Sequence, residues 1–169
     1  MTNLDQRLNF NMEHQLANNW CWAATGKSVS HFYSVQSTWT QCKIAKKELG
    51  LSTCCADRST CDVPWTLDTT LIRTGNFVRQ FHGNMEWKDI KDEITAGHIV
   101  CAFIKWEDGG GHFVAIYGVA QTGGSKKVYI GDPINGYKLV GYVRFRDNYL
   151  DLGSWDHTYL TKSNDSPTN

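Results

Sequence analysis

The segment Gln15-Leu16-Ala17-Asn18-Asn19-Trp20-Cys21-Trp22-Ala23-Ala24 puts a cysteine where a helix should begin. At a helix N-terminus, unpaired N–H groups and the helix dipole favour a thiolate. The thiolate is the form that attacks a carbonyl carbon. A cysteine on its own is more often buried or disulfide-bonded. Gln15 changes that weighing, because its amide can reach the same point in space as the Cys21 N–H. The two together would hold the oxyanion of a tetrahedral intermediate.

A nucleophilic thiol needs a base. The chain offers His14, His31, His82, His98, His112 and His157. Of these, His112 stands in Gly109-Gly110-Gly111-His112-Phe113-Val114-Ala115-Ile116, where three glycines lead into an apolar strand. Glycine removes side-chain bulk, so an extended substrate backbone could pass close to the ring. The plainer reading of the same residues is a hairpin turn with an incidental histidine. The imidazole in turn needs a group to fix its tautomer. Asp132, in Val128-Tyr129-Ile130-Gly131-Asp132-Pro133, falls at the end of the next expected strand, where it would lie beside His112. An aspartate before proline is also a common turn starter.

The elements that must carry these residues follow from pattern and punctuation. Asn18 or Asn19 can cap a helix from about Trp20 to Tyr33. Further helices are expected over Thr40–Leu49, Leu67–Thr74 and Glu86–Ala96, stopped by Gly50, Gly75 and Gly97. Strands are expected at Ile99–Trp106, His112–Tyr117, Lys127–Ile130, Lys138–Phe145 and Trp155–Thr161. Helices first and antiparallel-type strands second imply an α+β fold of two lobes with a site in the cleft between them. The 169 residues suit a single domain, 1–169, with a polar, frayed tail over 162–169.

Composition narrows the rest. Lys plus Arg equals Asp plus Glu, 17 each, so nothing in the charge calls for nucleic acid or an anionic membrane. No apolar run is long enough to span a bilayer. The opening Met1-Thr2-Asn3-Leu4-Asp5-Gln6-Arg7 has no apolar signal-peptide core, so either the protein is not exported by that route or the signal has been removed. Cys42, Cys54, Cys55 and Cys61 form a second cluster. Their spacing lacks the paired knuckles of a zinc site. Two short-range disulfides, one each from Cys54 and Cys55 to Cys42 and Cys61, fit better. Reduced thiols and a metal site stay open as alternatives. Cys101, inside an apolar strand, reads as a core residue. No cofactor and no metal ligand is assigned.

The segment Gln-x5-Cys-Trp-Ala and the order Gln, Cys, His, Asp resemble the active-site pattern of papain-like cysteine peptidases. More closely, the chain resembles the bacterial group that includes the AvrRpt2-type effector proteases and the C39-like peptidases. Asn19-Trp20-Cys21-Trp22-Ala23-Ala24, Thr40-Gln41-Cys42, Cys54-Cys55, Gly110-Gly111-His112-Phe113-Val114, Gly131-Asp132-Pro133 and Trp155-Asp156-His157-Thr158-Tyr159 carry that resemblance, from about residue 10 to 161. It implies a papain-like fold, with a helical N-terminal lobe packed on a C-terminal antiparallel sheet. It also implies peptide-bond hydrolysis through Cys21, His112 and Asp132, with Gln15 as oxyanion donor. The chain departs from plant papains in having Asp rather than Asn as third member and in its shortness. The resemblance further suggests a monomeric effector or toxin, secreted or delivered into a target cell and acting on a protein or peptide substrate. A toxin aimed at competitors would require a cognate immunity protein. Leader-peptide processing and acyl transfer or amide hydrolysis on the same fold are the alternatives; a catalytically dead binding module is the rival from another class.

Overall fold

The computed structural model describes residues 3–164; of the expected polar tail, residues 165–169 lie outside the described residues. The elements run β1 (Asn3–Arg7), α1 (Cys21–Tyr33), α2 (Gln41–Leu49), a 3-10 turn (Arg58–Cys61), α3 (Leu67–Thr74), β2 (Phe77–His82), α4 (Trp87–Thr95), β3 (Val100–Trp106), β4 (Gly111–Thr122), β5 (Ser125–Asp132), β6 (Gly136–Gly141), α5 (Tyr142–Asn148) and β7 (Gly153–Thr161). All strands join one antiparallel sheet in the order β2-β7-β3-β4-β5-β6, and β1 pairs with β4. Strand β4 pairs with β5 along one edge and is long enough to serve two partners along the other. Its first half pairs with β3, from His112 opposite Ile104 to Ile116 opposite Val100. Its second half pairs with β1, from Gly118 opposite Arg7 to Thr122 opposite Asn3.

The α+β expectation holds, and the sheet divides the interior in two. Side chains alternate along a strand. Ile99, Cys101, Phe113, Ala115 and Tyr159 therefore face α1–α3, where they meet Trp20, Trp22, Val29, Ile44, Leu67 and Leu71. Val100, Ala102, Ile104, Val114, Ile116 and Ile130 face the other way, onto Trp87, Ile90 and Ile94 of α4 and Tyr142 and Phe145 of α5. Helix α1 lies close against α3, because a Cβ on Gly26 would run into the Thr70 methyl group. Gly50 and Gly75 end α2 and α3 in the left-handed conformation, as their positions suggested.

Three expectations change. Strands β1 and β2 were not anticipated. The strand expected over Lys138–Phe145 stops at Gly141, and Tyr142 begins helix α5, whose Tyr142 and Phe145 are buried three residues apart on one face. Neither Asn18 nor Asn19 caps α1. The cap position is Trp20 with no side-chain cap bond, because the Asn19 amide is engaged by Asp62 instead.

Candidate active site

Cys21 is the first residue of α1. Among the described residues nothing accepts a hydrogen bond from the backbone N–H of Cys21, Trp22 or Ala23, and the first turn holds no acidic side chain. The positive end of the helix is thus left open at the thiol. Cys21 is half-buried, whereas Cys101, the other free cysteine, is sealed in the core, where burial pushes its thiol pKa far up.

The loop after the 3-10 turn holds the nucleophile segment from the side. The Trp20 indole donates to the Cys61 carbonyl (2.8 Å) and the Trp22 indole to the Val63 carbonyl (3.0 Å). The Asn19 backbone N–H donates to Asp62 Oδ1 (2.7 Å). The Cys54–Cys61 disulfide closes the turn just before Asp62 and Val63, and a second bridge, Cys42–Cys55, ties that turn to α2.

His112 opens β4, buried, with the Trp106 indole lying nearly parallel to its ring at 5.8 Å between centroids. The three preceding glycines have two separate causes. Gly109 (φ 106°) and Gly110 (φ 72°) adopt the left-handed backbone of the β3–β4 turn, while a Cβ on Gly111 would collide with the Phe103 ring. The Nε2 of His112 hydrogen-bonds Asp132 Oδ1 at 2.7 Å. With Nε2 taken by Asp132, Nδ1 is the nitrogen left for the Cys21 thiol, whose nearness also raises the ring's pKa. Burial works to depress the His112 pKa. The hydrogen bond to Asp132 and its charge, with the neighbouring Cys21, outweigh it and hold the ring up at about 9.

Asp132 ends β5 with both carboxylate oxygens filled. Oδ1 also accepts from the backbone N–H of Ile134 (2.8 Å) and Asn135 (3.0 Å). Oδ2 accepts from the Tyr149 hydroxyl (2.7 Å) and Asn135 Nδ2 (3.1 Å). Burial raises the carboxyl pKa, but the His112 hydrogen bond and charge, with the Asn135 N–H and the Tyr149 hydroxyl, hold it well below the usual carboxylate range. Tyr149, wholly buried, has its own pKa pushed up by burial and by the Asp132 charge.

The backbone of Gln15 is fixed by its N–H donating to the Pro133 carbonyl (2.9 Å). Gln41, fully buried, brackets it by accepting from the Leu16 N–H (3.0 Å) and donating to the His14 carbonyl (2.9 Å). The Gln15 Nε2 donates to the carbonyls of Ala17 (3.0 Å) and Asn18 (2.7 Å), while Oε1 is buried without a partner.

Cys21, His112 and Asp132 are brought together. Cys21 and His112 line a cleft of about 510 Å³ walled by Trp22, Trp65, Phe103 and Trp106, with Asn18 and Asn135 at its polar edge. Gln15 does not line that cleft; it borders an adjoining hollow with His14 and Ile134. Tyr149, Asn135, Trp106 and Gln41 are the supporting residues that the sequence reading missed. An acceptor that must be buried beside an imidazole needs donors, but nothing local said which residues would supply them.

Three comparisons bear on this arrangement. The sequence model of the family described as Papain-like cysteine protease AvrRpt2 matches residues 2–149. No curated protein matches by sequence. Among solved structures, a C39-like peptidase from Bacillus anthracis superposes with a TM-score of 0.62 at 15% identity, covering 95% of this chain and 99% of that one. A double glycine motif protease from an AMS/PCAT transporter, in complex with the leader peptide, gives 0.54 at 17% identity, over 94% and 98%. A structure of the mite allergens Blo t 1 and Der p 1 gives 0.59 at 17% identity, over 96% of this chain and 71% of that one.

Proposed function

The chain belongs to the papain-like cysteine protease family of AvrRpt2, and from that premise we propose that it hydrolyses peptide bonds with Cys21 as nucleophile and His112 as base and acid. The observation that carries this reading is the open N-terminus of α1, with Cys21 on it and an imidazole beside it charged through Asp132. His112 Nδ1 takes the proton of the Cys21 thiol. The thiolate attacks the carbonyl carbon, and the carbonyl oxygen becomes an oxyanion within reach of the free Cys21 N–H. His112 protonates the leaving amine, and water then attacks the thioester with His112 taking the proton. Asp132 holds the ring with Nδ1 toward sulfur. Gln15 supplies the second oxyanion donor by turning one N–H from a loop carbonyl toward the cleft.

The substrate is a protein or peptide threaded through the aromatic-walled cleft. Two disulfides favour a protein exported through an oxidising compartment, in keeping with a secreted effector or toxin. Leader-peptide processing is the second reading, favoured by the likeness along nearly the whole chain to the protease solved with a leader peptide. Cys21→Ala tests the reading. Hydrolysis of a peptide library should vanish while the melting temperature stays put, because a small helix-compatible residue replaces a half-buried thiol. Retained hydrolysis would sink it. A double-glycine leader peptide in the same assay separates the second reading from the first.

A further inference from the structure

His82, Asp156 and His157 bring two imidazoles and a carboxylate together outside the catalytic site. One nitrogen of each ring and one carboxylate oxygen all lie within 4.8 Å of one another. The pairing explains the convergence. His82 stands directly opposite His157 on β2 and β7, and His157 opposite Phe103 on β3. Asp156 would ordinarily point to the other face. Between Phe103 and Ile104 the β3–β7 register slips, because Trp155 pairs with Ile104 and leaves Asp156 as the extra residue. Such a bulge re-aims the side chain of the extra residue. The Asp156 carboxylate thereby meets His157 Nδ1 at 2.7 Å and His82 Nε2 at 3.5 Å.

We propose that His82, Asp156 and His157 bind a divalent transition-metal ion of the Zn²⁺ class. Two imidazoles and a carboxylate are a donor set that Zn²⁺ takes readily, with ligand bonds of about 2.0–2.2 Å. The backbone around the site is already tied down. The Gly83 N–H donates to the Asp156 carbonyl (2.6 Å), and the Thr158 hydroxyl donates to the Gly83 carbonyl (2.7 Å). Gly83 takes φ 99°, a conformation that suits glycine, so the turn after His82 is held against β7. The His82 side chain is 78% exposed and free to swing the last distance inward, and the open side of the site faces solvent.

The site also has a position that matters. The cross-strand row runs Phe113, Phe103, His157, His82. The His157 ring meets the Phe103 ring edge-on at 6.5 Å, and Phe103 and Phe113 line the catalytic cleft. A bound ion would fasten edge strand β2 to β7 one residue behind the cleft wall.

The test uses the tag-free Cys21→Ala protein, so that the thiol–imidazole pair of the catalytic site cannot compete for the ion. It reads binding alone, so it succeeds or fails independently of the peptidase assignment. Titration calorimetry with ZnCl₂ should give one site. The melting temperature should rise by about 5–10 °C when free Zn²⁺ reaches about 100 times its Kd. Adding His82→Ala or His157→Ala should weaken binding at least about 100-fold. Because His82 is exposed, its replacement should leave the zinc-free melting temperature unchanged, so that loss is not loss of fold. His98→Ala, a histidine paired with Glu93 elsewhere, should bind as before. Absence of binding to the Cys21→Ala protein, or binding indifferent to His82→Ala, overturns the proposal. Equal loss on His98→Ala would show diffuse surface binding and overturn it too.

Discussion

Asp132→Asn keeps the shape of the side chain and removes its charge, and the structure says what that costs. Every neighbour of the carboxylate is a donor: His112, two backbone N–H groups, Tyr149 and Asn135. An asparagine with its oxygen toward His112 keeps three of the five hydrogen bonds. Its NH₂ group then faces the Tyr149 hydroxyl, which can turn to accept, and the Asn135 amide, which must flip. One buried donor left unmatched costs about 1–3 kcal/mol. The larger effect is on His112. Holding the ring at about 9 against an ordinary 6.5 corresponds to roughly 3 kcal/mol in favour of the imidazolium. If loss of the carboxylate returns the ring to its ordinary value, the charged fraction at pH 8 falls from about 0.9 to about 0.03, a loss of about 30-fold, while at pH 6 it barely changes. The expected result is a kcat/KM profile whose alkaline limb moves from near pH 9 toward neutrality. A smaller loss at all pH values, from poorer ring orientation, should lie on top of it. Stability should follow the same linkage. A ring whose folded pKa is raised contributes fully below about 6.5 and loses that contribution as pH climbs through about 9. Asp132, held low, contributes above the ordinary carboxylate range and loses its contribution only as pH falls through its depressed value. The melting temperatures of wild type and Asp132→Asn should therefore differ most at pH 5–6, and above pH 9 the gap should shrink to what the unmatched hydrogen bonds around residue 132 cost. Profiles of kcat/KM and Tm from pH 5 to 10 on a fluorogenic peptide check both. An unmoved alkaline limb in the variant would refute the reasoning.

Tyr149→Phe removes a single hydroxyl from Asp132 Oδ2; it should cost about 1 kcal/mol of stability and pull the alkaline limb down by less than Asp132→Asn does. A Tm loss with an unmoved limb would make Tyr149 a packing residue only. Gln15→Ala should lower kcat by about 10²–10³-fold with KM little changed. Normal kcat with a lower Tm would mean that the amide only braces the Ala17–Asn18 carbonyls. Thiol titration of the unfolded, unreduced protein should find two free thiols, Cys21 and Cys101. Reduction of the folded protein should lower Tm, by roughly 3 kcal/mol of stability for a bridge closing about 15 residues, the size of the Cys42–Cys55 loop. It should also lower kcat/KM, because Cys61 accepts from the Trp20 indole and anchors Asp62 and Val63, which hold Asn19 and Trp22. Six titratable thiols without reductant would contradict the bridges.

What could be read ahead of the structure depended on whether a residue's role is local. Gly50 and Gly75 end helices by their own backbone freedom, and Val100–Trp106 is a strand by its own apolar content. Strand β1 is different. Asn-Leu-Asp-Gln-Arg presents no buried face, and its residues alternate only between exposed and half-buried. It is a strand because β4 runs past the end of β3 and needs a partner, which no local pattern reveals. Tyr-Val-Arg-Phe-Arg alternates like a strand, yet Tyr142 and Phe145 go to one side as a helix. Within the site, residue type marked Cys21 and His112. The donors around Asp132 come from the Pro133 turn and from distant Tyr149, and tertiary packing alone selects them.

The start of α1 is where local preference and structure part most plainly, and the disagreement has a chemical sense. Two asparagines precede the helix, and an asparagine cap is worth about 1 kcal/mol. Yet Asn19 turns its amide to Asp62, and the helix begins uncapped. A cap would have filled N–H groups in the first turn with a side-chain oxygen. Leaving them empty beside a cysteine reserves them for the charge that forms there, first on sulfur and then on the oxyanion of the proposed mechanism. Sequences that violate a local rule tend to do so where function requires it. The Asp62 segment that follows the Cys54–Cys61 bridge and holds Asn19 is thus part of how the helix end is kept open.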